Sequence, residues 1–362
     1  MRTLVVLVVV AGICCCGSVH AQPPSAKREL DRAISAMNAG RYPEAEKTLR
    51  RLVRRYPSYD DARYELALVL SLQQRFDDAI GECKILCDTS RPKERQRDLY
   101  FQLLGNLYAQ KDDTANADAT YRLGVQRFPT SARLHVEIAI RHAMHGDLDE
   151  ALDEIETAIS GDPTYPLSYY WGARFYRASS ERIWAIFYAE IFLNIRPNSP
   201  KADEISSLWY NLFREAVEQF DQEGRIVLSR EIRGTIGDGA APTRPFAEAY
   251  TEVLTDAARQ LRFNRDFELP VASIDTMLTR FVELWHERGY DRRYSNVVIE
   301  RYRQLRQEGL LSAYVHVLAQ HGKPMQYEEY AKHNRDALQR LERWIERNRL
   351  IITRDNYISR YR

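Results

Sequence analysis

Small residues return through the first half of the chain at an almost constant interval: Ala33, Ala67, Gly105, Ala139 and Ala173, spaced by 34, 38, 34 and 34. A second set follows in phase at Ala45, Ala79, Ala117, Ala151 and Ala185, and prolines close each unit at Pro57, Pro92, Pro129, Pro163 and Pro197. A period near 34 with small residues inside helical stretches constrains the chain to an array of helical hairpins. Antiparallel helices pack about 8–10 Å apart, and the close end of that range needs Gly or Ala where they cross. Large residues such as Tyr64, Leu66, Tyr108, Ile138 and Ile155 fill the grooves around each crossing. Gly40 and Gly146 are placed to end a first helix in the left-handed conformation. The prolines end each second helix, because proline cannot continue a hydrogen-bonded ladder. No hairpin buries its apolar face alone, so the units must stack.

Between these combs the sequence resembles the tetratricopeptide-repeat (TPR) pattern. The third unit shows it best, with Phe101, Leu104, Gly105, Tyr108, Ala117, Tyr121, Gly124 and Pro129 filling the slots in order. The resemblance covers residues 26–199 and implies an all-α, TPR-like helical-hairpin solenoid. Its hairpins are expected over 26–59, 60–97, 98–131, 132–165 and 166–199, breaking near Gly40, Gln74, Asp112, Gly146 and Ser180. The units are unequal. The second has Gln74 where the turn glycine belongs, and an insertion over 93–97 reads as a polar loop or a helix extension. The fifth has Ser179, Ser180 and Arg182 in place of a glycine turn.

In such arrays the first helix of each hairpin lines a concave face. The resemblance places Leu30, Ile34 and Met37 there, then Tyr64, Leu68 and Leu72, then Asn106. Val136, Ile140, Met144, Tyr170 and Arg174 continue the set. This groove implies a protein or peptide segment as partner, held as an amphipathic helix or an extended strand. Co-chaperones of this family clamp a terminal carboxylate with Lys, Asn and Arg. Leu30 and Ile34 stand where the first two would be, which argues against a chaperone carboxylate-tail binder. The alternative occupant of so apolar a groove is the chain's own C-terminal region.

The first residues, Met1-Arg2-Thr3, an apolar run over 4–16 and Val19-His20-Ala21, read as a secretory signal peptide over residues 1–21, cleaved after Ala21. The apolar run is shorter than the roughly 20 residues of a membrane span. Cys14, Cys15 and Cys16 leave lipid anchoring open, although Ala11-Gly12-Ile13 fits a lipobox poorly. Export to the periplasm, or to an extracellular or outer-membrane site, follows from this reading. Past the repeats, residues 200–225 are expected to form a capping helix, with the stripe Ile205, Leu208, Trp209, Leu212, Phe213 and Ala216. Gly234, Gly237, Gly239, Pro242 and Pro245 mark residues 226–245 as a linker. Residues 246–362 form a C-terminal helical region, with helices expected over 246–261, 271–288, 297–308, 310–320 and 327–350. It is similar to the helical tails of exported bacterial TPR proteins, a likeness that carries no activity.

Acidic and basic residues nearly cancel, 51 against 52, so no strong field is available to attract nucleic acid. His135, His142 and His145 share a helix face near Asp147, but the first two occupy slots for packing aromatics, so core imidazoles are expected and no metal. Gly234-x-x-Gly237-x-Gly239 lacks the preceding strand of a phosphate loop, and His286-Glu287 lacks a second histidine at zinc-protease spacing. Cys83 and Cys87, four apart on one helix, are too widely set for an undistorted disulfide and read as buried thiols. No catalytic residue and no cofactor is assigned. The expectation is an exported scaffold with an adaptor role in an envelope assembly or secretion complex. An enzyme or enzyme-accessory protein acting through the C-terminal region, and a purely structural envelope subunit, are the alternatives.

Overall fold

The computed structural model describes residues 23–229, 245–261 and 269–361. The expected signal peptide and its cysteines lie outside the described residues, as do positions 230–244 of the expected linker. The chain divides into two compact units, Met1–Thr120 and Tyr121–Arg362. Among the described residues every regular element is a helix, so the chain is all-α, as the small-residue comb requires.

The first unit holds α1 (Pro24–Asn38), α2 (Tyr42–Arg55), α3 (Asp60–Leu72), α4 (Phe76–Leu86), a 3-10 turn (Lys93–Arg95) and α5 (Asp98–Gln110); α6 (Thr114–Arg127) carries the chain into the second. Ala33, Ala45, Ala67 and Ala79 are at most 1% exposed, which lets paired helices meet backbone to backbone. Each first helix closes in the same way. The amides of Arg41, Arg75 and Asp113 donate five residues back, to the carbonyls of Ala36, Leu70 and Tyr108, at 2.9, 3.0 and 3.0 Å. That closure needs a left-handed residue before the donor. Gly40 supplies it at φ 74°, but Gln74 and Asp112 adopt φ 61° and 59°. Two side-chain-bearing residues thus take the conformation glycine takes at no steric cost. The insertion over 93–97 is the short 3-10 turn, fixed by Arg91 and Arg95, which donate to Asp60 at 2.5 and 2.8 Å.

The second unit continues with α7 (Ala132–His145), α8 (Leu148–Gly161), α9 (Pro166–Ala178), α10 (Arg182–Ile195) and α11 (Ala202–Glu223). Gly146, at φ 90°, closes α7. The turn before α10 has no left-handed residue. Instead Ser179 Oγ donates to the Tyr176 carbonyl and accepts from the Glu181 amide. The amide of Ile183, in the first turn of α10, donates to the Leu228 carbonyl at 3.1 Å, and Ser229 Oγ donates to Glu181 at 2.6 Å. Residues 226–229, expected as the start of a linker, are therefore packed structure, with Ile226 and Leu228 in the core. A helix start whose amides lack partners within the helix recruited them.

Beyond them lie α12 (Phe246–Ala258), α13 (Val271–Glu287), α14 (Tyr290–Arg293), α15 (Val297–Gln307), α16 (Leu311–Leu318), α17 (Pro324–His333) and α18 (Arg335–Arg347). Asn296 caps α15, accepting from the amides of Val298 and Ile299 at 3.0 and 3.1 Å. The single helix expected over 327–350 is two helices. Pro324 starts the first, and Asn334 breaks the run while its side chain donates to the Tyr330 carbonyl. These helices pack on α10 and α11. Phe187 meets Tyr250 at 5.2 Å, Ser206 Oγ donates to the Leu318 carbonyl, and Tyr210 Oη donates to the Leu269 carbonyl. Trp209 and Trp285 are fully buried. Among the described residues no helix is long and apolar enough to cross a membrane.

Candidate protein-binding face

Alternate first helices carry the residues expected to face a partner, and the structure sorts them by exposure. In the first unit Leu30, Met37 and Leu68 are buried, Ile34, Tyr64 and Asn106 are half-buried, and Leu72 is 40% exposed. In the second unit Val136 and Tyr170 are buried, Ile140 is half-buried, Met144 is 70% exposed and Arg174 is exposed. Five of the expected contact residues, Leu30, Met37, Leu68, Val136 and Tyr170, are thus packing residues and not free surface. Within each unit, neighbouring first helices approach closely enough to cover the positions between them. What is left to a partner is Leu72 in the first unit, and Met144 and Arg174 in the second, each flanked by half-buried residues.

Around Tyr64 in the first unit the surface is aromatic and acidic. Its ring lies 5.7 Å from that of Tyr100 on α5. Arg97 sits over Tyr100 and pairs with Asp61 at 3.0 Å. Next to Tyr64, burial, with Asp61 adding to it, pushes the Glu65 carboxyl up to about 7. Near pH 7 Glu65 is only partly ionised, which lowers the negative charge beside Tyr64.

Tyr170 in the second unit is the hub of a cluster that sequence spacing did not indicate. Its hydroxyl donates to Glu204 at 2.7 Å and accepts from Arg174 at 2.8 Å. Lys201 stands 4.3 Å over its ring, and Arg174 lies 4.7 Å over Trp171. Burial, then the Glu204 bond, pushes the Tyr170 hydroxyl up to about 12. Arg174 is consequently a positioned, ion-paired cation and not a freely moving one.

Of the expected core imidazoles, His135 is buried, His142 half-buried and His145 exposed. His135 is buried between the Glu154 carboxylate at 2.5 Å and the Pro129 carbonyl at 2.8 Å. Two acceptors require both ring nitrogens to donate. Burial opposes that charge, but the Glu154 and Pro129 bonds outweigh it and raise the imidazole above its ordinary value. Cys83 and Cys87 are free and buried, and burial pushes the Cys87 thiol up to about 12. Neither is a ready nucleophile.

Sequence reasoning missed two buried carboxylates in the second unit. Glu156 on α8 accepts from Tyr176 at 2.5 Å, Tyr188 at 2.8 Å, Ser359 Oγ at 2.5 Å and the Arg360 amide at 3.1 Å. Glu190 on α10 accepts from Tyr314 at 2.7 Å and from Tyr302. Burial outweighs those bonds and pushes Glu190 up to about 7. For Glu190 a signal was present, since it is the one charge in the apolar run Ile183 to Leu193; Glu156, with Asp153 and Glu154 beside it, gave none. A charge in such a stretch is either an error of phase or a buried, hydrogen-bonded group.

A tetratricopeptide-repeat family model matches residues 30–93, which include α3 and α4 with the buried Ala67 and Ala79 at their crossing. Residues 30–93 are thus tetratricopeptide repeats. Solved structures similar to this chain each span about half of it. TTC0263, a thermophilic TPR protein in Thermus thermophilus, is 18% identical over 52% of this chain and 98% of its own, with a TM-score of 0.41. PilW, a widely conserved type IV pilus biogenesis factor, is 13% identical over 56% and 95%, with a TM-score of 0.42. PilF of Pseudomonas aeruginosa is 16% identical over 53% and 97%, with a TM-score of 0.34. No curated protein matches the chain.

Proposed function

We propose that this protein is a non-enzymatic scaffold whose first-helix faces hold a segment of another protein. It acts outside the inner membrane, as an adaptor in an envelope assembly or secretion complex. The observation that carries the binding reading is the exposure of Leu72 and Met144 on α3 and α7, at positions where the TPR pattern presents side chains to a ligand. Covering what each still exposes contributes about 1–2 kcal/mol. Half-buried Ile34, Tyr64 and Ile140 add amphipathic flanks, and aromatic anchors carry a large share of interface energy. The export reading rests on residues 1–21 alone.

Leu72→Asp combined with Met144→Asp tests the face without disturbing buried packing. The full-length double variant should keep its helicity by circular dichroism and lose at least tenfold in affinity for the protein that wild type recovers from membrane extract. Undiminished affinity would move the site off the first helices. The export reading is tested separately, by sequencing the secreted form: it should begin at Gln22.

A further inference from the structure

Residues 348–361 contain no helix, yet part of this stretch is as well buried as the repeats. Ile352 and Ile358 lie in the core and Ser359 is 4% exposed. What holds residues 359–361 is a set of groups on α8 and α9, some two hundred positions earlier in the chain. Glu156 Oε2 accepts both the Ser359 hydroxyl and the Arg360 amide. One rim of the seat is Asp153, which pairs with Arg360 at 2.8 Å and accepts from the Tyr361 hydroxyl. The Tyr176 ring forms a wall, with the Arg360 guanidinium 5.9 Å from its centre.

We propose that Glu156, Asp153 and Tyr176 form a peptide-recognition site, separate from the first-helix faces, for an extended segment reading hydroxyl, arginine, aromatic, and that the chain's own Ser359-Arg360-Tyr361 occupies it as an exchangeable ligand. The recognition elements are those of a binding site and not of an apolar core. One carboxylate oxygen reads a backbone amide together with a side-chain hydroxyl, and an anionic rim reads a cation. The carboxylate floor is built independently of the segment, since Tyr176 and Tyr188 donate to the other oxygen of Glu156. The edge is open: Tyr361 is more than half exposed, and so is the Asp153 side chain. The segment is buried at Ile352, Ile358 and Ser359 and exposed at its end, and such a segment can leave by local opening while the helices stay folded. The partner that replaces it is a protein segment of the same chemistry.

The test uses the full-length chain and a fluorescent synthetic peptide of residues 353–361. Ser359→Asp with Arg360→Glu sets two negative charges against Glu156 and Asp153 and unseats the segment. This variant should remain helical and bind the peptide, whereas wild type, already occupied, binds it at least tenfold more weakly. Adding Glu156→Gln should lower peptide affinity by about tenfold or more, and adding the exposed change Asp153→Asn by a few-fold. A folded, unseated variant that ignores the peptide overturns the proposal. Hydrogen exchange on wild type gives a reading that needs no variant to fold. The Arg360 amide should exchange through local opening, at least a hundredfold faster than the amides at the centre of α9. Equal protection would make the segment a permanent part of the core and overturn the proposal.

Discussion

In residues 23–120 the carboxylates that link helices pair with arginines at or just beneath the surface; in residues 121–361 two carboxylates lie inside an aromatic core. The first unit is joined by Glu29–Arg51 at 2.9 Å, Glu46–Arg75 at 2.7 Å and the Asp60 pairs with Arg91 and Arg95. Its core is mainly alanine and leucine, the minimum that hairpin stacking demands. The second unit stacks Phe187, Phe246, Tyr250, Phe281 and Trp285 in one continuous cluster, and its buried Glu156 and Glu190 are bonded by tyrosines. The difference teaches that one repeat pattern supports two ways of choosing neighbours. Exposed ion pairs contribute little each and are screened by salt. A buried carboxylate that only particular tyrosines satisfy penalises every other arrangement, because an unpaired charge in a core costs several kcal/mol.

The comparison breaks most readily at Gly172 on α9. A Cβ there would stand 2.6 Å from Cδ2 of Tyr188 and 3.2 Å from Cγ2 of Ile155. Gly172→Leu should destabilise the second unit by about 3 kcal/mol or more, through overpacking of a crossing with no room to yield. Urea denaturation followed by tryptophan fluorescence measures it, and an unchanged midpoint would show that α9 and α10 do not meet so closely.

The buried carboxylate of the second unit should also make stability depend on pH. Glu190 titrates near 7 in the folded chain against 4.5 for an ordinary glutamate, so the fold binds its proton more tightly than the unfolded chain does. Its contribution is full below pH 4.5 and is lost as pH rises to about 7, a loss of roughly 3 kcal/mol. Melting temperature should therefore fall between pH 5 and pH 8 on this account. His135 and Glu65, both raised, act with the same sign, so Glu190→Gln should flatten the dependence without abolishing it. A slope unaltered in that variant would remove Glu190 from the account.

The smallest effect belongs to the surface network of the first unit. Asp60 holds both Arg91 and Arg95 with only 15% of its side chain exposed. Asp60→Ala should cost about 1–2 kcal/mol at low salt, and less at high salt as the remaining charges are screened. If the loss does not depend on salt, the arginines position the 88–97 loop by packing and not by charge.

Much of the repeat half was legible because its constraint is local and periodic. Alanine at a crossing, a turn residue after each first helix and proline after each second helix are written in consecutive positions. Gln74 and Asp112 show how far that reaches: neither is glycine, yet both take the left-handed turn that Gly40 takes at the same point of its hairpin. The candidate face was legible only as a list of positions. Which of them stay exposed depends on how closely adjacent first helices approach, and that placed Leu68 and Tyr170 inside and left Leu72 and Met144 outside.

By itself the sequence determined the all-α class, the hairpin period and the places where helices reverse, since these follow from backbone sterics within a few residues. The tertiary structure alone decided which carboxylates are buried. Glu156 and Glu190 are stable inside only because Tyr176, Tyr188, Tyr302 and Tyr314 arrive from other helices to bond them. It likewise decided that residues 226–229 pack against α10 and that residues 358–361 fold back onto α8. Each of these outcomes depends on a partner tens to hundreds of residues away, and no local pattern encodes which acceptor a distant donor will meet.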